Sequence, residues 1–187
     1  MREINPGFAA EELSRAQAGA PAAFAGLVRA HQRLVYSIAL RMLADAGLAE
    51  DLAQEVFLQL YRSLSSIESA AHLVFWLRRV TTHRAIDRLR QRPRVSWAPL
   101  SAAEALPAAE APADALLGTP LEALVGELAP EPRAVLLLRY QQDLDPGEIA
   151  RTLDLSVNTV KSHLRRTLAR LRLKLATGVP EALGGES

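Results

Sequence analysis

The sequence predicts an all-α protein built as two small helical domains joined by an extended, acidic Ala/Pro-rich linker, the C-terminal domain being a helix-turn-helix. Three observations carry this. Apolar residues recur at helical spacing on both sides of the chain, with almost none of the period-two alternation that marks a strand. Between them, Pro99, Pro107, Pro112 and Pro120 are spaced so that no helix of useful length fits. Beyond the prolines, a capped segment, a short turn and a basic amphipathic segment follow one another from Asp145 to Lys174.

The first long helix is marked by Phe24, Leu27, Val28, His31, Leu34, Val35, Ile38 and Met42, and Asp45 and Gly47 end it with turn chemistry. A second spans Leu48 to Leu64 and a third runs from about His72 to Arg90. Residues 94–119 read as linker, because proline and small residues favour extended chain that cannot bury enough apolar surface to fold alone. Pro120 then opens a further helical set, broken at Pro130, at Asp143 to Pro146 and at Asp154 to Ser156. The domains so delimited are 1–93 and 120–187.

A chain of 187 residues that is 49% hydrophobic has material for two small cores. Cysteine is absent, and His31, His72, His83 and His163 show no ligand spacing, so no metal and no other cofactor is predicted. No phosphate-cradling glycine loop, catalytic carboxylate pair or nucleophile constellation is present, which argues against an enzyme. Charges interrupt every apolar run before it reaches the length of a membrane span, no basic-then-apolar leader opens the chain, and the tail from Thr177 to Ser187 is short and polar. The expectation is a soluble, cytoplasmic protein with no membrane insertion and no appended sensory domain.

The formal net charge of +1 conceals a segregation. Arg78 to Arg94 holds seven arginines against the single acid Asp87, and Lys161 to Lys174 holds six basic residues and no acid. Between these blocks, Val95 to Pro132 carries six acids and no Lys or Arg. Two cationic surfaces flanking an acidic strip point towards nucleic acid.

Asp145, Pro146, Gly147 and Glu148 form a strong helix start, with Asp145 as cap, Pro146 at the first helical position and Glu148 as capping-box partner. Ile149, Ala150 and Leu153 give that short helix an apolar face, Asp154 and Leu155 make the turn, and Ser156 caps the next helix. In the second helix Val157, Val160, Leu164, Leu168 and Leu171 share one face, leaving Asn158, Lys161, Ser162, Arg165 and Arg172 opposite. A helix fits the major groove and reads base edges with its N-terminal side chains. Asn158, Thr159, Lys161, Ser162, Arg165 and Arg166 are therefore the duplex-binding candidates, with Arg166, Arg170 and Lys174 suited to phosphates.

The stretch Asp145 to Arg172, DPGEIARTLDLSVNTVKSHLRRTLARLR, resembles the promoter −35-reading module of extracytoplasmic-function sigma factors, and it is also similar to the helix-turn-helix of NarL/LuxR regulators. The N-terminal half separates the two. In LAEDLAQEVFLQLYRSL, Ala49, Leu52, Val56, Phe57, Leu60 and Leu64 make a wide apolar face, while Asp51, Gln54, Glu55 and Leu58 form an outward stripe at i, i+3, i+4, i+7. On chemistry alone the stripe fits a solvated face with one stray leucine as well as it fits a partner helix. AEDLAQEVF, however, is similar to the sigma segment that grips the polymerase β′ coiled coil. The resemblance implies that Asp51, Gln54, Glu55 and Leu58 bind core RNA polymerase, through its β′ and β subunits.

HLVFWLRRVTTHRAIDRLRQRPR, His72 to Arg94, resembles the sigma helix that recognises and melts the −10 element. Its arginines with Phe75, Trp76 and His83 supply the cations and planar groups that single strands require, although Trp76 suits a core anchor better than a stacking platform. By resemblance, Arg79, Thr82, His83, Arg84, Asp87 and Arg88 face DNA, and the loop Ser65 to Ala71 borders a flipped-base pocket. A NarL/LuxR regulator would instead need a sensory or receiver domain with alternating strands, which this pattern lacks. The family likeness implies a non-enzymatic initiation factor that engages core polymerase and promoter DNA, with its linker along the polymerase interior, under an anti-sigma partner. A free-standing NarL/LuxR-type regulator and a DNA-independent sigma mimic are the competing readings.

Overall fold

A computed structural model describes residues 6–91 and 120–177, which fall in two compact units divided at Arg92 and Pro93. Every regular element among the described residues is helical, as the spacing predicts, and none of these helices is long and apolar enough to cross a membrane. The linker 94–119 and the tail beyond Thr177 lie outside the described residues.

In the N-terminal unit, α1 (Pro6–Gln17), α2 (Pro21–Leu43), α3 (Ala46–Arg62) and α4 (Ala70–Gln91) pack around one core, with a single 3-10 turn at Leu64–Ser66. The break between α2 and α3 differs in detail from the sequence reading. Ala44 turns into the left-handed region at φ 54°, and Asp45 caps α3 by accepting the Leu48 N–H at 3.0 Å. Gly47 therefore lies in the first turn of α3, because the side-chain cap two residues earlier already ends the break.

Helix α1 is absent from the sequence reading. Among its residues whose burial is described, Leu13 and Ala16 are the buried apolar ones, accompanied by Glu12, which pairs with Arg15 at 3.0 Å. Its docking is completed by Gln17, whose Nε2 donates to the carbonyls of Leu64 at 3.0 Å and Ile67 at 2.8 Å, so one amide ties α1 to the α3–α4 connection. The α2–α3–α4 core comprises Leu27, Val35, Met42, Leu52, Val56, Leu60, Leu73 and Leu77.

His31, on the inner face of α2, is only 5% exposed and its Nε2 has no hydrogen-bond partner. Burial lowers its pKa below the ordinary imidazole value. The unfolded chain then takes up the proton first as pH falls, so this residue removes stability on descending through about 6.5, until the folded protein protonates as well. Urea midpoints of wild type and His31→Leu should diverge between pH 7.5 and 5, the wild type losing more. Parallel pH profiles would show that His31 contributes nothing to the acid slope.

The C-terminal unit contains α5 (Pro120–Gly126), α6 (Pro130–Gln141), α7 (Pro146–Leu153) and α8 (Val157–Thr177). Leu128, Leu136 and Leu171 form a core against which Leu121, Leu124, Val125 and Leu168 pack. Arg133 is buried, and its guanidinium donates to the carbonyls of Gly126 and Leu128, satisfying backbone acceptors where α5 ends. Lys174 of α8 pairs with Glu127, whose carboxyl this contact holds below its usual range.

Candidate nucleic-acid interface

The helix-turn-helix is positioned by its caps. Asp145 Oδ1 accepts the N–H groups of Gly147 at 2.7 Å and Glu148 at 2.8 Å, and Glu148 Oε2 accepts the Asp145 N–H at 2.8 Å. This reciprocal box satisfies first-turn donors of α7, and the Glu148 N–H is the chief cause of a lowered Asp145 pKa. Helix α7 stops at Asp154, which adopts φ 55° and returns its N–H to the Ala150 carbonyl. Asp tolerates this left-handed position better than a branched residue would. Ser156 Oγ then accepts the Thr159 N–H at 3.0 Å and opens α8.

Those turns fix which face of α8 is presented. Val160, Thr167 and Leu171 are buried, while Asn158, Lys161, Arg165 and Arg166 are exposed. Ser162 is half-buried, and the Thr159 hydroxyl lies 2.8 Å from that of Ser156, so it is engaged in the cap. The exposed set is cationic at the end of the helix that a major groove accepts first.

In the N-terminal unit α3 presents Asp51, Gln54, Glu55 and Leu58 on its outer side, with Leu58 59% exposed. Tyr61 extends this edge and was missed. It is 64% exposed although its ring meets Phe24 edge-on at 5.1 Å, and its position three residues beyond Leu58 is the signal that could have found it.

Helix α4 divides its candidates. Arg79, His83, Arg84 and Arg88 are half-buried, with Phe75 and Trp76, and Asp87 is exposed, 3.6 Å from Arg90. Thr82 is placed inside, at 1% exposure, so the structure does not bring it to the surface with the other α4 candidates. The reason is helical phase: Leu73, Leu77, Thr81, Ala85 and Ile86 turn inward and carry Thr82 with them.

The structure also brings the two predicted sites of this unit together. Glu55 Oε1 accepts from Arg88 Nη2 at 2.6 Å and Glu55 Oε2 from Arg84 Nη1 at 3.1 Å. Arg84 Nε donates to Gln59 Oε1 at 2.9 Å, and Arg88 Nη1 to the Leu48 carbonyl at 2.9 Å. Gln59 was not anticipated, and only its place one turn beyond Glu55 hints at it.

Both units are similar to known proteins. Residues 27–95 match the family described as Sigma-70 region 2, and residues 119–171 match Sigma-70, region 4. The ECF RNA polymerase sigma factor SigE of Mycolicibacterium smegmatis is 35% identical over 162 residues, covering 80% of this chain and 60% of that relative. SigK of Mycobacterium tuberculosis H37Rv, also an ECF RNA polymerase sigma factor, is 31% identical over 158 residues, covering 81% of this chain and 84% of the relative. This chain therefore spans less than two thirds of SigE but most of SigK. Among solved structures, the sigma factor RpoE of Bartonella quintana, in complex with the anti-sigma factor NepR, has a TM-score of 0.63 at 18% identity, covering 83% of this chain and 98% of that one, a likeness of fold. The chain belongs to the extracytoplasmic-function sigma factors of the sigma-70 family.

Proposed function

We propose that this protein binds core RNA polymerase and directs promoter-specific transcription initiation, without catalysing a reaction of its own. The observation that carries the reading is the co-occurrence, in the family's order, of the α3 edge, the arginine face of α4 and a capped helix-turn-helix with an acid-free basic face. In this reading Asp51, Gln54, Glu55 and Leu58 contact the polymerase β′ and β subunits. Arg79, His83, Arg84, Asp87 and Arg88 serve the −10 element, and Asn158, Lys161, Ser162, Arg165 and Arg166 the −35 element. Thr82 is buried within α4 and the Thr159 hydroxyl is engaged with Ser156, so this reading gives neither of them a DNA contact.

Neither DNA contact needs high affinity alone, because linking two weak contacts raises the effective concentration of the second. The acidic run from Val95 to Pro132 suits passage through a basic nucleic-acid channel. Control by an anti-sigma protein, and action in the cytoplasm where polymerase works, complete the proposal. Its partner class is supported by the RpoE fold relative, which was solved with such a factor.

The test is transcription from a genomic promoter library by core polymerase with and without the purified protein. Discrete initiation sites sharing two spaced sequence elements are the expected result. Their absence, in a library that a known sigma factor reads in the same assay, would refute initiation activity. Binding of an operator as a dimer with no affinity for core polymerase would favour the NarL/LuxR-type reading instead.

A further inference from the structure

We infer that Glu55 is a positioning residue for Arg84 and Arg88: it holds both guanidiniums against α3, so that capture of its carboxylate by polymerase and release of the two arginines to DNA phosphate are coupled events. The inference rests on the proposed function but goes beyond it, since that reading treats the α3 edge and the α4 face as independent contacts.

The geometry is specific. Glu55 uses one oxygen for each guanidinium, at 2.6 Å to Arg88 and 3.1 Å to Arg84. Two further acceptors complete the hold, the Gln59 amide oxygen on Arg84 Nε and the Leu48 carbonyl on Arg88 Nη1. All four partners belong to the α3 side, while both arginines come from α4, 29 and 33 residues away from Glu55. The cluster is open to solvent: the side chains of Glu55, Arg84 and Arg88 are 47%, 40% and 23% exposed. Ion pairs this exposed are weak and exchange readily, so a partner cation at Glu55 or a phosphate at the arginines can compete for them. A charge-assisted bond to phosphate replaces the bond to carboxylate one for one, which makes Glu55 an internal competitor of DNA.

Linkage then requires reciprocity. If polymerase occupies Glu55, DNA affinity at α4 rises, and DNA at α4 raises affinity for polymerase by the same factor. The alternative is a static pair that fastens α4 to α3 and stays closed when DNA binds.

The experiment uses the full chain and a fluorescein-labelled dT20 oligonucleotide, with anisotropy read over a range of salt concentrations. Glu55→Gln should bind roughly 5-fold tighter than wild type, as expected for loss of a weak competing pair. Its log–log salt slope should steepen by about 0.7 for each arginine freed. Glu50→Gln removes the same charge from an exposed site on the same helix, without a bond to either arginine, and should gain no more than about 2-fold through general electrostatics. Glu55→Asp keeps the charge but shortens the reach, and should fall between wild type and Glu55→Gln. The gain should vanish in Glu55→Gln combined with Arg84→Gln and Arg88→Gln.

Equal affinities for Glu55→Gln and Glu50→Gln would overturn the inference. The α4 reading would survive that result if Arg84→Gln with Arg88→Gln weakens binding in the wild-type background. If that double variant binds like wild type, α4 does not hold DNA and both readings fall. Circular dichroism of each variant confirms that the comparison is between folded proteins, and Glu55→Asp retains the test should Glu55→Gln unfold.

Discussion

Replacing Lys161 and Arg165 together by Glu should reduce affinity for a duplex fragment carrying the −35 element by at least ~100-fold at fixed salt, while the helix content stays unchanged. The size follows from two contributions. A well-placed basic side chain on a base edge is worth roughly 1–3 kcal/mol of discrimination. Reversal also places two anions where phosphates approach, and Lys161 to Lys174 contains no acid to begin with. Stability should be spared because both side chains are exposed while Val160, Thr167 and Leu171 hold the inner face. Surface changes of this kind usually stay within about 0.5 kcal/mol. Equilibrium binding to a selected fragment and to scrambled duplex gives the check. Arg170→Ala should weaken both duplexes alike, as a phosphate contact does, whereas the double reversal should also erase the preference between them. Retained preference in the Lys161→Glu/Arg165→Glu protein would mean that sequence is read elsewhere.

The helix-turn-helix is legible in the sequence because everything that shapes it is local. Asp145, Pro146 and Glu148 lie within one turn of one another, and Ser156 reaches only to Thr159, so residue type and spacing specify the geometry without knowledge of the rest of the chain. The α2 and α3 helices are legible for a related reason: their buried faces are dominated by large apolar side chains at helical spacing. Helix α1 fails that test. Its described buried positions include Glu12 and Ala16 beside Leu13, and the amide of Gln17 that completes its docking acts across 47 and 50 residues.

The candidate sites divide along the same line. Membership of the α3 stripe follows from phase alone, so the exposure of Asp51, Gln54, Glu55 and Leu58 is what a helical wheel demands. The inward position of Thr82 is not readable in that way, because α4 buries Thr81, Thr82 and Ala85 and has little contrast between its faces. The Glu55 pairing with Arg84 and Arg88 depends on how two helices lie against each other, which no local pattern encodes. Sequence likeness assigned those three residues to two different surfaces, and packing joins them.

The weak contrast on α4 makes its few large anchors decisive. Among its buried residues only Leu73, Leu77 and Ile86 are large and apolar, and Leu77 also supplies the carbonyl that accepts the Thr81 hydroxyl at 2.6 Å. Leu77→Ala should therefore cost roughly 3 kcal/mol, from lost transfer energy plus the cavity left between helices that cannot fully collapse. For a unit of this size that corresponds to a fall on the order of 15 °C in its unfolding midpoint. The contrasting variant is Thr82→Val. Thr82 Oγ1 is buried with no hydrogen-bond partner, so an isosteric apolar side chain should leave stability unchanged or raise it by about 1 kcal/mol. Hydrogen exchange at the α4 amides in the full chain measures both. A small loss in Leu77→Ala, under ~1 kcal/mol, would mean that α4 is held by its arginine contacts to α3 rather than by its apolar anchors. Loss of DNA binding in a stable Thr82→Val protein would return that hydroxyl to the DNA-facing set.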